Sequence, residues 1–169
     1  MTFDSNDNLS AEQHNTLMLI NKVIEKANMS CKPVFEILGG TGLLFHGVQS
    51  VFTVDIDTAN ELSAEVRELV TPFISDDASE VAVLARNYKQ RLITYPRGEF
   101  SHCVVRLLSL EDIVITKLGA FRVKDREDLT KTEALRKCNL KLIESIIKSE
   151  FDPKTSELLQ SRWDSLYYR

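Results

Sequence analysis

The sequence predicts an α/β (α+β) fold, a small β-sheet followed by a helical C-terminal half. Three observations point to it. Two β-rich runs, residues 34–38 and 51–57, bracket the pair Gly39-Gly40, and two more, residues 91–95 and 103–107, flank Pro96-Arg97-Gly98. From Ser109 onward the apolar residues recur at helical spacing. No internal repeat and no Gly, Ser or Pro-rich linker divides the chain, so residues 1–169 read as one domain, with a core at about 30–130 and a helical region at about 109–169.

Ser10 with Gln13 three residues later has the form of a capping box, and Leu17, Ile20, Val23, Ile24 and Ala27 then predict an amphipathic helix over 10–29. Pro33 ends it. Residues 34–38 form a strand, the glycine pair turns the chain, residues 41–46 form a short helix closed by Gly47, and residues 51–57 form a second strand. Helices are expected at 61–74, with Pro72 near the end, and at 78–87. Strands at 91–95 and 103–107 make a hairpin or consecutive sheet strands. Ser109, with Asp112 three residues on, opens a helix running to about Val123, followed by helices at 126–138 and 140–149. Asp152-Pro153 breaks the pattern before a last short helix carrying Leu158, Leu159, Trp163 and Leu166.

The chain has 169 residues, 43% of them hydrophobic and 27% charged, a globular balance. A net charge of −4 and a pI near 5.4 exclude a wholly basic nucleic-acid coat protein. Cys31, Cys103 and Cys138 are odd in number and widely spaced, so neither a disulfide framework nor a thiolate zinc site is encoded. Residues 1–10 have neither the basic start nor the apolar stretch of a signal peptide, and no apolar run approaches the roughly 20 residues that span a bilayer. A soluble, cytoplasmic protein with no membrane partner is expected.

Asp55 and Asp57 are two apart in the second strand, which projects both side chains from one face with Cα atoms roughly 7 Å apart. Like charges this close raise one another's pKa unless a cation neutralises them, and paired carboxylates with substrate phosphates suit Mg²⁺. The alternative is a strand that ends at Ile56 and leaves Asp57 in solvent as a helix cap. Gly39-Gly40-Thr41 follows an apolar strand and opens a helix, a geometry that aims backbone N–H groups at a phosphate. Neither G-x-G-x-x-G nor G-x-x-x-x-G-K-[ST] is present, so dinucleotide and P-loop readings lose support.

The combination resembles the nucleotidyltransferase superfamily of polymerase-β-like fold. The residues that carry the likeness are Ile37-Leu38-Gly39-Gly40-Thr41-Gly42, then Thr53-Val54-Asp55-Ile56-Asp57. Its wording is similar to a bacterial subgroup related to abortive-infection and toxin–antitoxin nucleotidyltransferase toxins, through Leu108-Ser109-Leu110-Glu111-Asp112-Ile113, Lys117-Leu118-Gly119-Ala120 and Lys124-Asp125-Arg126-Glu127-Asp128-Leu129. The likeness spans roughly residues 34–130. It implies a small mixed-sheet nucleotidyltransferase core. Asp55 and Asp57 would hold Mg²⁺ or Mn²⁺, Gly39, Gly40 and Thr41 would grip phosphates of the NTP substrate, and Lys117 would neutralise the triphosphate. Asp125, and at a lower rank Asp128, would complete the catalytic site, with Arg126 orienting them or contacting phosphate. Alone, Lys117 also reads as a snorkelling lysine and 125–128 as the charged start of a helix.

The sequence departs from this pattern twice. Many relatives place an arginine before the Thr-x-Asp-x-Asp segment, where Gln49, Ser50, Val51 and Phe52 stand here, and no third carboxylate is evident on the strand at 103–107. The function implied is transfer of NMP from an NTP, with pyrophosphate leaving, to an acceptor such as a tRNA end or other RNA. Its setting would be toxin–antitoxin or phage defence, with a cognate antitoxin or toxin as protein partner. Alternatives are nucleotidylyl transfer to a partner protein, as an adenylylating antitoxin performs, a degenerate nucleotide-binding or antitoxin module without catalysis, and a phosphohydrolase. Arg86, Lys89, Arg91, Arg97 and Arg106 suggest a basic edge suited to RNA, against eight acids in residues 53–80.

Overall fold

The computed structural model describes residues 5–48, 51, 53, 55–98 and 100–167. Helix α1 spans Ser5–Ala27, strand β1 Val34–Leu38, helix α2 Gly39–Phe45 and strand β2 Ile56–Thr58. Helix α3 (Ala64–Val70), strand β3 (Ile74–Ser75) and the one-turn helix α4 (Ala78–Val81) follow. After a 3₁₀ turn at Tyr88–Arg91 come β4 (Ile93–Thr94) and β5 (Val104–Leu107). The C-terminal half is helical: α5 (Leu110–Ala120), α6 (Val123–Thr130), α7 (Ala134–Lys137), α8 (Leu140–Ser149) and α9 (Pro153–Tyr167).

The sheet is mixed, in the order β3-β2-β1-β5-β4. β1 runs parallel to β5 and antiparallel to β2, β2 parallel to β3, and β4 antiparallel to β5 as the hairpin reading expects. Alternation along β1 sorts its side chains between two cores. Phe35 and Ile37 join Ile56, Ile74, Val105 and Leu107 against Leu17, Ile20 and Ile24 of α1 and Val66 and Val70 of α3. Leu38 belongs instead to the cluster built on Ile113, Val114 and Leu118 of α5, which packs α2, α8 and Trp163 of α9. Helix α5 can be central because it is apolar nearly all round: it buries every residue from Asp112 to Leu118. Among the described residues no helix is long and apolar enough to cross a membrane.

Several boundaries differ from the sequence reading. Helix α1 already runs through Ser10, whose hydroxyl accepts a hydrogen bond from Arg97 Nη1 at 2.7 Å rather than capping a helix start. The helix expected over 61–74 is α3 alone, capped by the Ser63 hydroxyl accepting from Val66 N, and Ile74 and Ser75 pair with β2 instead. The helix expected over 78–87 is the single turn α4. The segment at 126–138 is two helices, split where the Thr132 hydroxyl bonds Asp128 O and accepts from Ala134 N. The second strand, expected from 51, is assigned only over Ile56–Thr58, so Asp55 precedes it; Phe52 and Val54 lie outside the described residues.

Candidate active site

The site forms where β1 runs into α2. Gly39 has φ +69°, a left-handed conformation that glycine adopts without steric penalty, and this turns the chain from strand to helix in one residue. Leu38, its predecessor, is the cross-strand partner of Asp57, so the turn and the carboxylate are fixed to each other by the sheet. A Cβ on Gly39 would stand 3.5 Å from Asp57 Oδ2. Among the described residues no side chain caps the start of α2, which lies beside that carboxylate.

Asp55 is held differently. Thr41 is fully buried and its hydroxyl donates to the Asp55 carbonyl at 2.6 Å, joined at 3.4 Å by the Thr53 hydroxyl. The Thr41 side chain, expected at a phosphate, is therefore committed to shaping the loop that presents Asp55. Gly40 is required by this packing: a Cβ there would meet Thr53 Cβ at 2.8 Å. Gly40→Ala is expected to destabilise the fold by about 1–3 kcal/mol, as overpacking does, and to displace Asp55; urea denaturation and nucleotide binding read the two effects.

Gly39, Gly40, Asp55, Asp57, Lys117 and Asp125 line one cleft of about 580 Å³. Six of the nine residues expected from the sequence thus converge. The two carboxylates are opposite in exposure: Asp55 is exposed and Asp57 half-buried. Burial, and then the Asp55 charge, push the Asp57 carboxyl above its ordinary range, against the pull of Arg122 and Lys124. Among the described residues neither carboxylate group has a hydrogen-bond or ion-pair partner, and no three His, Cys, Asp or Glu side chains make a ready ligand group. The donor set that fits is a divalent cation taking two carboxylates here and completing its shell with phosphate oxygens and water, the habit of Mg²⁺.

Lys117 departs most from expectation. Its side chain is 6% exposed, and its ammonium lies 2.7 Å from Asp128 Oδ2 and 3.4 Å from Asp125 Oδ1. Asp125 accepts in turn from the Arg122 backbone N–H (3.1 Å) and Nε (2.9 Å). Burial would raise the Asp125 carboxyl, but the Arg122 hydrogen bond and the Lys117 and Arg122 charges outweigh it and hold it below the usual carboxylate range. Asp128 sits behind the cleft as the second anion for Lys117. Arg126 is not brought to the site: its guanidinium lies 5.6 Å over the Phe121 ring and lines a separate pocket with Glu127 and Ser165.

The basic edge is likewise dispersed. Arg91 is locked between Asp112 (2.8 Å) and Glu150 (2.7 Å), Arg97 bonds Ser10, and Lys89 and Arg106 line a neighbouring cleft. Of the stretch lacking the expected arginine, Gln49, Ser50 and Phe52 lie outside the described residues.

Sequence reasoning missed Asp77, Arg122 and Lys124, which all line the cleft. Asp77 lies two residues past the end of β3, just before α4, and the parallel register Asp57↔Ser75 brings it near Asp57, whose carboxyl it helps to raise. It adds an acid to the cleft wall, just past a strand too short to show a pattern. The signal for Arg122 was Asp125, an acid at the third position of a helix, which marks the residue three before it as the helix start.

No curated protein and no solved structure gives a significant match to the chain. A family described as "Nucleotidyltransferase of unknown function (DUF6036)" matches residues 15–169, thus including most of α1 and the whole helical half as well as the segment that carries the motifs. A glycine turn, two aspartates beside it that have no partner among the described residues, and this match agree: the chain belongs to that nucleotidyltransferase family.

Proposed function

We propose that the chain transfers NMP from an NTP to a hydroxyl at the end of a tRNA or another RNA, in the cytoplasm, as a component of toxin–antitoxin or phage defence. The observation that carries the reading is the pair Asp55 and Asp57, close together and unpartnered among the described residues, against the start of α2, which no described side chain caps. The two carboxylates would hold Mg²⁺ or Mn²⁺, which supplies Lewis-acid stabilisation of the charge developing on the phosphate oxygens. The Gly39 and Gly40 amides would orient the phosphate chain. An α-phosphorus held there would be open to in-line attack by an acceptor oxygen. A new O–P bond would form as the bond to the bridging oxygen breaks, the hydroxyl's proton passing to water and pyrophosphate leaving. The acceptor as RNA is what the resemblance to the toxin-like nucleotidyltransferases implies, and the exposed Lys89 and Arg106, which line a neighbouring cleft, are cations suited to its backbone.

The test uses each NTP labelled at either the α or the γ phosphate, incubated with the protein, Mg²⁺ and total tRNA or a cell lysate. Label from the α position on RNA, with γ label released as pyrophosphate, is the expected outcome. Label on protein would replace the RNA acceptor with a partner protein, free nucleotide alone would make the enzyme a phosphohydrolase, and no turnover with any NTP would leave a binding module.

A further inference from the structure

We infer that Arg122 and Lys124, rather than Lys117, form the cationic clamp for the polyphosphate tail of the nucleotide, a deepening that rests on the nucleotidyltransferase reading of the cleft. The lysine expected to meet the triphosphate is spent elsewhere. Lys117, Asp125, Asp128 and Arg122 carry two positive and two negative charges in one connected network, and the ammonium of Lys117 is enclosed between two aspartates. Drawing it out to a phosphate would strip those carboxylates of their buried partner.

Arg122 is placed differently within the same network. Only its Nε is engaged, by Asp125 Oδ2 at 2.9 Å, and its side chain is 78% exposed at the cleft. Among the described residues its two terminal nitrogens have no partner. Asp125 thus fixes the plane of the guanidinium and leaves its outer fork free, the arrangement that grips phosphate oxygens in pairs. Lys124, two residues on, is exposed, lines the same cleft and has no ion-pair partner among the described residues. These cations face the acidic wall of Asp55, Asp57 and Asp77, near enough that Arg122 and Asp57 shift each other's ionisation. One wall suits a divalent cation and the other suits the phosphate oxygens bound to it. Lys117 is then a positioning residue that ties α5 to α6 and so sets the angle of Arg122.

Inorganic tripolyphosphate in EDTA, titrated calorimetrically into the full chain, isolates the clamp from the metal. Wild type should bind it with an affinity that falls as salt rises. Arg122→Gln should weaken it about tenfold or more, the scale of a charge-assisted bidentate contact, and Lys124→Glu should weaken it at least as far with an unchanged melting temperature. Lys124→Glu guards against a folding defect in Arg122→Gln, because the exposed Lys124 side chain makes no hydrogen bond or ion pair among the described residues. Equal binding by wild type and both variants, or no binding by wild type, overturns the clamp. Metal-dependent NTP binding and label transfer would still stand or fall separately, so loss of the clamp and loss of the proposed function are told apart.

Discussion

Asp57→Asn is expected to reduce nucleotidyl transfer by about a thousandfold or more, at the upper end of what removing one preorganised electrostatic group does to kcat, while leaving the fold intact. Asp57 is half-buried beside Asp55, with no partner among the described residues, and burial and that neighbour raise its carboxyl above the ordinary range. A carboxyl whose folded pKa lies above its unfolded value binds more protons when folded. Its ionisation therefore opposes folding, and stability falls as pH rises from the usual aspartate range near 4 through the raised value. The amide variant, lacking that charge, should melt at or above the wild-type temperature at neutral pH, and the difference should vanish below about pH 4. Melting curves from pH 3 to 8 beside a transfer assay check both parts. A variant that melts well below wild type at neutral pH would mean that Asp57 supports the fold.

Lys117→Met should be the most destabilising change in the site, by about 3–5 kcal/mol, the scale of leaving buried charges without their counterion. For a chain of this size that lowers the melting temperature by on the order of 10 °C. The reason is geometric: Asp125 and Asp128, both buried, share the one ammonium. Adding Asp128→Asn to Lys117→Met should recover part of the loss, because the group left behind is then neutral, and a double-mutant cycle measures the coupling. The pH dependence has the opposite sign to that of Asp57. Asp125 is held below its ordinary value, so its contribution is present above the usual aspartate range and is lost as pH falls through the lowered value. Acid unfolding of wild type should therefore be steeper than that of Lys117→Met. A Met variant that melts within about 2 °C of wild type would show that the network is marginal.

What the sequence made legible was the part fixed by local chemistry. β1 and α8 fall on the residues expected, because an apolar run stops at a glycine that must turn and Asn139 caps its helix through Leu142 N. The turn and Asp55-x-Asp57 belong together for the same reason: the turn glycine needs positive φ and the strand pairs Leu38 with Asp57. What escaped is owed to partners distant in sequence. β3 is two residues long and exists because β2 pairs with it, so Asp77 had no strand pattern to announce it. Ser10 and Gln13 imitate a helix start, but α1 continues through them. Lys117 alone reads as a snorkelling lysine, and only the fold of α6 over α5 brings Asp125 and Asp128 to its ammonium. That same step frees Arg122, which the motif had passed over in favour of Arg126.

Calorimetric titration of NTP into wild type and Asp57→Asn, each with Mg²⁺ and then with EDTA, addresses the site as a whole. Saturable binding by wild type that requires the metal, with that requirement lost in Asp57→Asn, is expected if the two carboxylates hold a cation that receives the phosphates. Binding of equal strength with and without metal, unchanged by the Asp57 substitution, would contradict it and move the nucleotide away from the turn at Gly39.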